Sequence, residues 1–265
     1  MPSLHPLRPT RAAAAPAWPT FTGTATLVGT SSSGVTVYVD ESLGAQGTQN
    51  AQSLLSGADS VVAQNNTIFG ITGGPVDVIV YALGAAGAVG GADHGGCDFT
   101  TGNAIEVDAS FGSPNRVVGL FEAELSECAM NGNLCGYSTG EALSRWCAAV
   151  VSSNALSDFV TAPSWAQAGM PDWVDQTEQT DQDAVSTGCG MAFISWLLSQ
   201  GHHLPQIAQA MVSLGDSGTL AALYAQLTGD AATNAWSKFQ SAVAALPGGV
   251  TSDDPFNGFS QAMAG

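Results

Sequence analysis

The hydrophobic pattern of this chain changes period once, near residues 113–115, and that change limits the folds open to it. Upstream, FTGTATLVG from Phe21, GVTVYVD (34–40), the apolar run VDVIVYAL (76–83) and AIEVDAS (104–110) read as strands. One helix, over 44–64, lies between the second and third of them. Downstream of Ser113-Pro114-Asn115, apolar residues recur every three to four positions almost to the end. The order predicts an α+β fold: an N-terminal mixed twisted sheet with one packed helix, then a mostly helical C-terminal half. The expected divisions are a disordered or export-related tail (1–20), a β-rich half (21–112), a helical half holding the candidate site (113–247) and a C-terminal tail (248–265).

Composition narrows the partners. Hydrophobic residues make up 45% of the chain and charged ones 10%, enough apolar surface for a large core. Five Lys+Arg against 22 Asp+Glu give a formal charge of −17. That excludes nucleic-acid binding, since nothing neutralises a run of phosphates, and disfavours anionic membrane surfaces. No stretch approaches the roughly 18 apolar residues of a membrane span. An acidic chain with an Ala-rich, basic lead-in predicts a secreted or periplasmic monomer. Five cysteines stand at 97, 128, 135, 147 and 189. Cys128 and Cys135 flank a Gly/Asn stretch whose length suits a loop-closing disulfide; the other reading is that all five are buried thiols.

The candidate chemistry lies on the helix 116–130. Val117, Phe121, Leu125 and Cys128 share one face, and Glu124 sits at its edge. Glu127, three residues on, points to the same side, while Glu122 falls on the opposite flank and reads best as an acidic face toward water. Two carboxylates so placed repel unless a metal or a shared proton resolves the conflict. Ser138-Thr-Gly-Glu141 reads as a capping box, with Arg145 at i+4 to pair Glu141. His94 lies in GGADHGGCDF beside Asp93 and Cys97, and PDWVDQTEQTDQD (171–183) reads as a solvated acidic loop.

The segment AELSE (123–127) resembles the HExxH helix of zincin metallopeptidases, with Ala123 and Glu127 where that family has histidines and Glu124 where it has its general base. Glu141, in Gly-Glu-Ala-Leu, resembles the third metal ligand of the glutamate-zincins. The order of strands and helices is similar over roughly residues 33–240, and the resemblance implies that an edge strand within 85–99 lines a substrate cleft. The departures imply a peptidase-derived domain with rewritten metal ligands. The motif helix carries no histidine, which argues against the usual zinc set. Three carboxylates without imidazole would suit calcium, magnesium or manganese. The leading expectation is a binding scaffold, or pseudoenzyme, for a peptide or glycan. The alternative is a hydrolase using Glu124, Glu127, Glu122 or Glu141 as an acid/base pair, with or without a hard divalent cation. His94 and Arg145 are the expected substrate contacts, and no residue is assigned to a metal.

Overall fold

The structure is a computed structural model and describes residues 16–82, 91–95, 104–108, 114–130, 134–152, 155–156 and 160–264. Its sheet has the order β1-β2-β3-β5-β4, built from β1 (Ala25–Thr30), β2 (Val35–Asp40), β3 (Val76–Tyr81), β4 (Ala92–His94) and β5 (Ala104–Asp108). The central strands β2, β3 and β5 run parallel, and both edge strands, β1 and β4, run antiparallel to their neighbours. Alternation explains β2, where Val35, Val37 and Val39 face inward. The near-continuous burial of β3 fits a strand covered on both faces.

Helix α1 (Gly44–Phe69) connects β2 to β3 and ends at Gly70, a left-handed position (φ 65°) whose amide closes the last turn onto Asn66. It packs on the sheet and against α2 (Pro114–Met130), and α2 in turn packs against α3 (Ser138–Val151). Then come α4 (Ala162–Gln167), α5 (Ala184–Ser199), α6 (Leu204–Leu214), α7 (Leu220–Thr228) and α8 (Ala235–Ala244). The α+β organisation and the helical second half are as expected. The short strand β4 and helix α4 lie where no periodicity announced them.

Helix α5 is the axis of the helical half. Asp183 caps it by accepting from the Val185 amide, and from Ser186 to Leu198 every residue is buried. Its two glycines allow close crossings. A side chain at Gly188 would overlap the Thr161 carbonyl, and one at Gly190 would press on the Ala142 side chain.

Both expected tails are anchored where they are described. Glu106, fully buried on β5, accepts hydrogen bonds from the amides of Thr20 (2.9 Å) and Phe21 (2.7 Å), from the Thr20 hydroxyl and from Tyr81. At the other end, Asp253 is buried against α4, and Leu204 donates to the Ala262 carbonyl. The Cys128–Cys135 disulfide does not form. Cys135 is disulfide-bonded, but Cys128, Cys147 and Cys189 keep buried thiols, so the partner of Cys135 lies outside the described residues. Cys97 is among the residues not described.

Candidate functional site

Three elements converge on one open cleft of about 590 Å³. Strand β4 contributes Asp93 and His94, α2 contributes Arg116, Glu124 and Glu127, α3 contributes Glu141 and Arg145, and Asp181 closes the wall from the acidic loop. Pairing of β4 with β5 sets His94 opposite Ile105 and turns its ring toward α2. His94 Nε2 lies 3.1 Å from Glu127 Oε2 and 4.0 Å from Glu124 Oε2. A hydrogen bond to the buried Cys128 side chain also holds the ring. Cys128 follows Glu127 directly, so one helix supplies the ring's support as well as its acidic partners. The three side chains at the centre are largely withdrawn from solvent, with 13% of His94, 12% of Glu124 and 5% of Glu127 exposed.

Glu127 is also within hydrogen-bonding reach of Glu141. Arg145 reaches Glu141 from one turn on, with Nη2 2.6 Å and Nε 2.7 Å from Oε1. The expected ion pair is present. The expected capping box is not: Tyr137 occupies the cap position without a side-chain bond, and the Ser138 amide donates to the Glu178 carbonyl instead. With that amide satisfied from the acidic loop, the Glu141 carboxylate serves Arg145 and the cleft.

The electrostatics follow from burial and crowding. Burial raises the Glu124 pKa well above the ordinary carboxylate range, with Glu127 adding and His94 opposing. Burial and then Glu141 raise Glu127, against the His94 hydrogen bond. For His94, burial disfavours the charged ring, yet the bonds to Cys128 and Glu127 and the nearby Glu124 outweigh it and raise its basicity. Asp181 is raised by burial and then by Glu141.

Sequence reasoning placed Glu124, Glu127, Glu141, Arg145 and His94, and the structure brings all five together. It understated His94, which was set aside as a substrate contact but here stands among the carboxylates. The carboxylates are therefore not without imidazole, and the preference for a purely hard ion loses its basis. Asp93, Arg116 and Asp181 were not foreseen in the cleft. Asp181 carried no signal beyond its acidic neighbours, and its loop is not wholly solvated, since Val174 is buried.

Glu122 departs from expectation altogether. It is neither in the cleft nor toward water but fully buried, because α2 is covered on that flank too. Among the described residues neither carboxyl oxygen has a hydrogen-bond partner, and burial alone raises its pKa well above the ordinary range. A buried polar group without a partner costs stability, and an apolar replacement of similar shape commonly recovers it. Glu122→Met is therefore expected to stabilise the protein by about 1–3 kcal/mol. The measurement is the urea midpoint at neutral pH, and an unchanged or lower midpoint would show that the carboxyl is usefully held.

No family model matches this chain, and no curated protein matches it in sequence. Among the described residues no helix is long and apolar enough to cross a membrane.

Proposed function

We propose that this chain is a zincin-like domain whose cleft hydrolyses amide bonds of peptides by carboxylate chemistry. The observation that carries this reading is the meeting of Glu124, Glu127 and Glu141 with His94 on the floor of one cleft. Support for the kinship comes from AELSE on the helix facing an antiparallel edge strand, and from Glu141 on the next helix. Ala123, at a position where the zincins keep a histidine, offers no ligand atom. The rewritten site therefore works with carboxyl groups.

The spacing favours peptide over glycan. Glycosidases hold their two carboxyl groups about 5–10 Å apart, whereas Glu127 and Glu141 are within hydrogen-bonding reach. A close pair sharing a proton suits water-mediated amide cleavage, in which one member takes a proton from water while the other gives one to the leaving amine. Arg145 holds Glu141 in the orientation this role needs. Secretion fits the reading, since the disulfide at Cys135 is favoured in oxidising compartments.

The scaffold reading has one observation in its favour, the ion pair that occupies Glu141. A panel of internally quenched peptides and polysaccharides, run on wild type and Glu141→Gln, separates the two. Loss of at least about 100-fold in kcat on peptides with an unchanged Tm is the expected outcome. Peptide binding without turnover in wild type would leave the scaffold and remove the hydrolase, as would full activity in the variant.

A further inference from the structure

We infer that His94, Glu124 and Glu127 form a binding site for one divalent transition-metal ion of the zinc or manganese class. The inference deepens the hydrolase reading, since it concerns the floor of the same cleft. The three side chains each offer a ligand atom within 4.8 Å of the others. An ion with bonds of about 2.1 Å sets its ligand atoms roughly 3.0–3.5 Å apart, and the imidazole nitrogen already lies 3.1 Å from one carboxylate oxygen and 4.0 Å from the other.

The set is held rather than merely close. Glu124 and Glu127 are one turn apart on a helix buried along most of its length, so their separation is fixed by the helix itself. His94 comes from a strand paired to the sheet, and its hydrogen bond to Cys128 orients the ring, as the outer partner of a metal-binding imidazole does. A third carboxylate, Glu141, stands beside them, and Arg145 is already engaged with it. Acidic groups crowded below the surface repel one another, and a cation among them removes that cost. The cleft opens above the cluster, so an ion could enter and retain free positions toward a substrate.

Ligand chemistry chooses the ion. An imidazole with two carboxylates suits zinc, manganese or iron(II), whereas calcium takes an all-oxygen shell. When bound, such an ion would supply Lewis-acid polarisation. Glu124 and Glu127 would hold the ion in deprotonated form, and Glu141 stands outside the three-residue ligand set.

The test uses the full chain, freed of metal by chelator and titrated calorimetrically with zinc, manganese and calcium chlorides. One zinc or manganese ion per chain is expected, at least about 100-fold tighter than calcium. His94→Ala and Glu127→Gln should each weaken it by at least about 100-fold while circular dichroism shows the fold intact. If either variant fails to fold, His94→Asn and the cobalt ligand-field spectrum replace it, the spectrum being expected to change with the imidazole. No saturable binding, or zinc binding that survives loss of the His94 ring, overturns the inference. Zinc binding without turnover of any peptide upholds it and removes the hydrolase reading. Peptide turnover by metal-free protein that binds no ion does the reverse.

Discussion

Gly140→Ala is expected to destabilise the protein by about 3 kcal/mol, although alanine is the better helix former. The propensity gain inside a helix is about 1 kcal/mol. Against it stands the Leu134 carbonyl, which a methyl at position 140 would overlap, with the Met130 sulfur close behind. The obstacle is main chain rather than a flexible side-chain end. The first turn of α3 must therefore move off the short 3-10 turn at Leu134–Gly136, and Glu141, the next residue, moves with it. Chemical denaturation should show the loss, and on the proposed hydrolase reading peptide turnover should fall further than stability alone explains. Gly136→Ala is the control: no atom stands within 4 Å of its added methyl, so its midpoint should stay nearly that of wild type. A Gly140→Ala protein as stable as wild type would mean that α3 can slide on α2, and the close setting of Glu127 against Glu141 would lose its structural basis.

Asp253→Ala should cost a comparable amount, again about 3 kcal/mol. Oδ1 accepts from the amides of Thr161 (2.7 Å) and Ala162 (2.6 Å), at the start of α4. Both residues are buried, so removal of the carboxyl orphans two amides that water cannot reach. The segment follows Val160, whose φ of 47° a β-branched residue rarely adopts, and Asp253 helps hold the chain there. Asp253→Asn keeps an acceptor and should be far milder. The two variants separate in pH as well. Burial raises the Asp253 pKa, with the two amides and Arg145 opposing, so ionisation costs more folded than unfolded. Its contribution is complete below the ordinary aspartate value and is lost as pH rises through the raised one. Wild type should therefore lose ground to Asp253→Asn across that interval. Midpoints measured on either side of it that keep a constant difference would refute the assignment.

What the sequence could reveal divides along the range of the forces involved. The longer helices after residue 113 were legible because 3.6-residue periodicity is a local property, as were the spacing of Glu124 and Glu127 and the pairing of Glu141 with Arg145. His94 was foreseen only as a substrate contact, and its place among the carboxylates could not be read. Its strand is three residues long, too short for any alternation, and exists through pairing with β5. Glu122 was misjudged for a related reason: one helix predicts a flank, but only the packing of the whole molecule says whether that flank meets water. The capping box at Ser138 fits its local pattern and still does not form, because the Glu178 carbonyl, forty residues downstream, takes the amide.

The contact of Gly190 with Ala142 gives helix α5 an influence on the acidic floor beyond the piece of cleft wall it lends at Ala184. Ala142 is the neighbour of Glu141, and α5 has no solvent-facing side over which a displacement could dissipate. The size of residue 190 thus acts as a distance gauge, transmitting any change in the interior straight to the acidic floor. Variation that resets that floor in a molecule built this way would then be found deep inside, at positions where one added methyl already meets a neighbour.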